Sequence, residues 1–131
     1  MTHIAKGEFD VTMTPQAQDK AQGSTLGRMA LAKIFRGDLQ ATSKGEMLTA
    51  MMANGSAVYA AIERVDGTLE GKRGSFVLVH QGIATGAGQT LTVTIAPDSG
   101  SDELQGITGE MKIIITDDKH FYELDYALAN Q

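Results

Sequence analysis

The sequence contains no cysteine, no tryptophan and only 2 prolines among its 131 residues. Without thiols there can be no disulfide, no thiolate metal site and no cysteine nucleophile, and a cysteine-free chain suits a reducing compartment such as the cytoplasm. No apolar run approaches the ~20 residues that a membrane-spanning helix needs. The opening stretch Met-Thr-His-Ile-Ala-Lys-Gly-Glu-Phe-Asp lacks the basic segment and apolar run that begin a secretory signal. Clustered cations are scarce as well. Up to residue 75 there are nine Lys/Arg against eight Asp/Glu, and thereafter two against eight, giving the formal net charge of -5. A phosphate backbone needs a basic patch, and Lys72-Arg73 with the spaced trio Arg28, Lys33 and Arg36 does not make one. The expectation is a cytoplasmic protein that binds neither membrane nor nucleic acid.

Motifs for bound metals and cofactors are missing too. His3, His80 and His120 are too far apart for a local ligand pair, and the acidic loop 98–103 lacks the spacing of a calcium loop. The stretch from Gly67 to Gly71-Lys72 imitates a phosphate loop but is one residue short, with Arg73 where a Ser or Thr must reach the magnesium. Gly86-x-Gly88 lacks the third glycine of a dinucleotide fingerprint, and there is no Gly-x-Ser-x-Gly elbow. No metal and no cofactor is expected.

What the chain does have is 15 glycines and a persistent alternation of apolar with polar residues, the period of a strand with one buried face. Residues 5–13 put Ala5, Gly7, Phe9, Val11 and Met13 on one side; Pro15 then ends the run, and 16–23 reads as loop. Further strands are predicted over 25–36, a run peaking at 46–52, then 56–65, 75–80, 90–96, 107–116 and 120–128. Helix formers are common in 26–35 and 46–53, so a helix is the competing reading there. Asn54-Gly55 and Asp66-Gly67 carry the strongest hairpin-turn signals, 82–88 reads as a flexible turn, and Asp117-Asp118 as another. Eight consecutive strands joined by short turns predict an all-β fold: an eight-stranded antiparallel meander β-barrel, closed or nearly closed, in one domain over 1–131. A two-sheet sandwich would need longer crossing connections.

The series Gly45-Glu46-Met47, Tyr59 with Ile62-Glu63, Gly67-Thr68-Leu69-Glu70-Gly71, Gly74-Ser75-Phe76 through His80 and Gly82, Leu104-x-Gly106-Ile107-x-Gly109 and His120-x-Tyr122-x-Leu124-x-Tyr126 resembles a family of small bacterial proteins of unknown function. The resemblance runs over nearly the whole chain. It implies a fold similar to the allene oxide cyclase barrel and, more distantly, to lipocalin-like (calycin-like) barrels. It carries no catalytic residues over to this sequence, so cyclase chemistry does not follow from it.

A barrel interior would gather the candidate site. His80 shares a strand face with Phe76 and Leu78, and His120 shares one with Tyr122, Leu124 and Tyr126. Glu46 is in phase with Leu48, Ala50 and Met52, and Glu63 with Tyr59 and Ala61, so either carboxylate is a candidate to point inward. An inward carboxylate needs a partner, for which Arg28, Arg64 and Arg73 are the candidates. The blander readings are histidines bonded to backbone at the rim and carboxylates on the wet outer face. Candidate ligand-binding residues are Glu46, Tyr59, Glu63, Phe76, His80, His120 and Tyr122. The leading functional expectation is a small apolar ligand held in the lumen. The alternatives are an isomerase or cyclase-type enzyme using a Glu or His there, and an oligomeric structural or interaction protein with a filled core. Val77 and Val79, on the outer side of their strand, point to a homo-oligomer.

Overall fold

The computed structural model describes residues 2–129. Alternation becomes eight strands: β1 (His3–Ala21), β2 (Ser24–Gly37), β3 (Leu39–Met52), β4 (Ala57–Leu69), β5 (Lys72–Thr85), β6 (Gly88–Ile95), β7 (Thr108–Thr116) and β8 (Lys119–Ala127). Each pairs antiparallel with its neighbours in the sequence, and β1 closes the circle on β8 from His3↔Tyr126 to Phe9↔His120. The wall is not uniform. Long ladders join β1 through β6, whereas β6 and β7 meet at the single pair Thr94↔Glu110. Among the described residues no helix is long and apolar enough to cross a membrane.

The competing helix reading falls, and three local expectations are corrected. The helix-rich stretches 26–35 and 46–53 lie largely within strands β2 and β3, because the buried face at Leu31, Lys33 and Phe35 follows a period of two and tertiary pairing overrides propensity. Pro15 does not end β1. The strand runs on to Ala21 through a register shift between Pro15 and Ala17. Past Phe9 it has lost β8 and become an edge, where a residue without an N–H is tolerated. Asp66-Gly67 is not a turn: β4 continues to Leu69, and the chain reverses at Glu70-Gly71, where φ is 46° and 86°. Gly67 is instead required by close packing, since a Cβ there would stand 2.2 Å from the Gln40 carbonyl oxygen. Likewise β5 runs through Gly82 to Thr85, so the predicted turn over 82–88 contracts to its last residues.

One end of the barrel is packed shut. Leu39, Leu69, Phe76, Leu78, Leu124 and Tyr122 fill it, and Leu104 and Ile107 from the β6–β7 connection fold in to join them. That connection is tied to β5: Ser101 N donates to the Ser75 carbonyl (2.9 Å), Ser75 N to Ser101 Oγ (3.0 Å) and Val77 N to Ser99 Oγ (3.0 Å). Tyr122 fills the largest share of this end, and its hydroxyl is not wasted. It accepts from Leu39 N and donates to the Arg36 carbonyl, each at 2.8 Å, bracing the β2–β3 turn from across the barrel.

Replacing Tyr122 with Phe therefore strands a buried backbone N–H with little change in volume. The expected cost is about 1–3 kcal/mol of unfolding free energy, read by urea denaturation, with the far-UV spectrum unchanged.

Candidate functional site

Inward positions on four successive strands bring four polar side chains together within the barrel. Lys33 comes from β2, Ser43 from β3, Glu63 from β4 and His80 from β5, all buried. Glu63, at 0% exposure, is the hub. Its Oε1 accepts from Lys33 Nζ (3.0 Å) and from His80 Nε2 (2.9 Å), and its Oε2 accepts from Ser43 Oγ (2.9 Å). The tautomer protonated at Nε2 is the one that makes His80 a donor here. The ammonium of Lys33 also lies 4.9 Å from the Phe9 ring centre and 5.8 Å from that of Phe35, a cation held against two aromatic faces. Burial by itself pushes the Glu63 carboxyl upward. The His80 hydrogen bond and the Lys33 charge outweigh it, so the group stays below the usual carboxylate value and is held as the anion.

Above this layer, away from the packed end, the barrel is open. Met29, Met47, Tyr59, Leu91 and Ile115 sit at positions whose parity faces the interior, and with Met51 they line a cavity of about 390 Å³. Their exposure is the notable fact: Ile115 is 66% exposed, Met51 57% and Leu91 45%. Large apolar side chains on the inner face of a barrel would normally be covered by one another. Among the described residues nothing fills the space between them. Tyr59 lines the cavity four residues along β4 from Glu63 on the same face, half-buried, with its ring laid over Gly82 directly opposite on β5. A Cβ at residue 82 would come within 2.2 Å of Tyr59 Cε1, so the ring lies where it does because position 82 is glycine. Burial first, and then the charge of Glu63, raise the Tyr59 phenol above its ordinary value.

Of the residues singled out from the sequence, Glu63 and His80 are brought into direct contact, with Tyr59 close by on the same face. Phe76 and Tyr122 belong to the packed end, and His120 is half-buried with its ring 5.2 Å from Phe9. Glu46 is on the outer wall, bonded to Arg28 at 2.7 Å with both side chains exposed, so the inward option for this carboxylate is corrected. Its phase-mates Leu48, Ala50 and Met52 face outward with it, while the inner face of β3 is carried by Ser43, Gly45 and Met47. None of the expected arginines reaches Glu63: Arg28 pairs with Glu46, Arg73 with Asp66, and Arg64 is exposed. The partner is Lys33, which the sequence reading missed. Its signal was present, because Lys33 stands in phase between Leu31 and Phe35 on a buried face.

The geometry defines a small closed meander barrel, packed at one end, open at the other, with an ionic cluster between. The chain belongs to the DUF3224 family, proteins of unknown function, whose family model matches residues 5–126. It is similar to a protein of unknown function from the same family in Shewanella oneidensis MR-1, known from a crystal structure, at 46% identity over 100% of both chains and a TM-score of 0.92. No curated protein matches it.

Because the folded value of Glu63 lies below its unfolded value, its contribution to stability is complete above the ordinary Glu pKa of about 4.3 and is lost as pH falls through the lower folded value. Glu63→Gln should remove that acid limb from a stability-against-pH curve. It should also cost about 3–5 kcal/mol at neutral pH by leaving the Lys33 ammonium buried without a counter-charge. Replacing Lys33 with Met and Glu63 with Leu together should return most of the loss, as measured by urea denaturation.

Proposed function

We propose that the protein binds a small apolar molecule in the open end of its barrel. The observation that carries this reading is the set of inward-facing apolar side chains, Ile115, Leu91 and Met29 among them, left around an unfilled space of about 390 Å³. Methionines at three lining positions, Met29, Met47 and Met51, suit an adaptable apolar surface, since the thioether side chain repacks at low cost. The ionic layer beneath sets the depth of the site, because its members are bonded to one another. A proton-transfer enzyme is the weaker reading. A carboxylate held below its ordinary pKa and already accepting three hydrogen bonds is a poor base, and Glu63 is both.

The test is titration with the neutral fluorophore N-phenyl-1-naphthylamine. Saturable one-site binding is expected, with a rise in melting temperature that grows with probe concentration. Met47→Glu and Ile115→Glu, at half-buried and exposed positions that tolerate polarity, should weaken it at least tenfold and leave folding intact. Absence of saturable binding to the folded wild-type protein would overturn the proposal.

We further propose that the partner of the outer wall is a second copy of the chain. Leu48, Ile62 and Val79 form an exposed apolar patch across β3, β4 and β5. Arg28 and Glu46 stand at its margin side by side, offering both signs to a two-fold mate that presents the same pair in reverse. Sedimentation velocity should show a species larger than 13.9 kDa that dissociates on Ile62→Glu. A wild-type monomer at tens of micromolar would refute it.

A further inference from the structure

The cavity is apolar with few polar exceptions, and these differ in what they can do. Thr49, Tyr59 and Gln89 line its inner wall. Gln89 sits at the exposed rim, and the Thr49 hydroxyl is turned onto Gly27, 2.7 Å from where a Cβ of that residue would be. Tyr59 is different. Its ring is clamped over Gly82, the residue is half-buried, and its hydroxyl makes no hydrogen bond to any described residue. Among the described residues no buried side-chain polar atom lacks a partner, so this hydroxyl opens onto the cavity, where water or a group of the occupant is its partner. The phenol stays protonated, and so remains a donor, because burial and the nearby Glu63 charge both resist its ionisation. The cavity lining has no Lys, Arg or His to receive an anionic group, and the Lys33 ammonium is already paired with Glu63.

We infer that the molecule held in the open end carries an uncharged oxygen acceptor, a ketone, aldehyde or ester carbonyl, that the Tyr59 hydroxyl grips while the apolar remainder lies along Met29, Met47, Leu91 and Ile115. This rests on the apolar-binding reading above and adds to it the chemical class of the occupant. The glycine at position 82 serves the site by fixing the ring and thereby the place where the carbonyl is met.

Two probes of matched shape separate the claims. 2-Acetylnaphthalene and 2-ethylnaphthalene differ by a carbonyl in place of a methylene, and each is measured by displacement of N-phenyl-1-naphthylamine from wild-type protein and from Tyr59→Phe, with 2-naphthoate as the anionic control. The variant keeps the ring that packs on Gly82, and a thermal melt verifies that it folds. In Tyr59→Phe the acetyl compound should bind about five- to tenfold more weakly, the worth of one hydrogen bond, while the ethyl compound is unchanged. In the wild type the naphthoate should bind more weakly than the acetyl compound. If both neutral probes bind and the variant affects them equally or not at all, or if the naphthoate binds best, the carbonyl assignment is overturned while apolar binding stands. If none of the probes, the fluorophore included, binds the folded wild type, the binding reading itself fails, and the carbonyl assignment with it.

Discussion

A carboxylate with no exposure to solvent sits inside this barrel, and the arrangement of half its wall follows from keeping that charge satisfied. An ionised carboxylate moved out of water costs several kcal/mol even after relaxation, and Glu63 recovers this through donors that come from three other strands. Lys33, Ser43 and His80 must therefore reach it from fixed registers on β2, β3 and β5, Ser43 and His80 diagonally, since Glu63 itself pairs with Gly45 and Leu78. A slip of one residue in any of these ladders would turn a donor outward and leave the charge bare. The cluster thus specifies pairing across β2 to β5, a role for which apolar residues, being interchangeable, are less suited.

The barrel divides along its axis. Below the ionic layer, aromatic and aliphatic side chains pack with the folded-in β6–β7 connection in one buried cluster, and even the Tyr122 hydroxyl is bonded to the backbone. Above it, the inner face is largely apolar but unfilled. Phe, Tyr and Leu side chains fill the packed end, whereas Met, Thr, Ala and Gly with Tyr59 line most of the open one, and geometry adds to that difference. Beyond Phe9, β1 has no β8 beside it, and the wall at this end is carried by the long hairpins of β1 to β4. The ladder between β1 and β8 is therefore missing on this side of the opening.

Most of the architecture was legible because a period of two survives any uncertainty about where strands end. Strand count, order and closure follow from alternation and short connections, and the turns at Asn54-Gly55 and Asp117-Asp118 stand where their dipeptides put them. The errors arose where one residue has two uses. Glycine at 67 and 82 signals a turn on its own, yet here each makes room for a neighbouring strand or ring, which only the partner strand reveals. Pro15 reads as a stop because a strand is assumed to have two neighbours. In the site, parity put Glu63 and His80 on the inner face, but Glu46 lies on the other face of β3, and phase with apolar residues misled because Leu48 is itself exposed and Ala50 and Met52 are only half-buried on the outer wall. Lys33 was overlooked since a lysine is taken as a surface residue, although its own phase marked it as buried.

The seam between β6 and β7, joined at one residue pair, gives the closed wall a weak line. Strand edges along most of that seam lack the cooperative ladder that protects amides elsewhere, so opening there costs little compared with unzipping any other pair. The circumference is in this respect more like a clasped bracelet than a ring: fluctuations of the wall concentrate at one clasp. Leu91 on β6 and Ile115 on β7, on either side of it, belong to the lining of the cavity, so its width is coupled to how far the clasp is drawn.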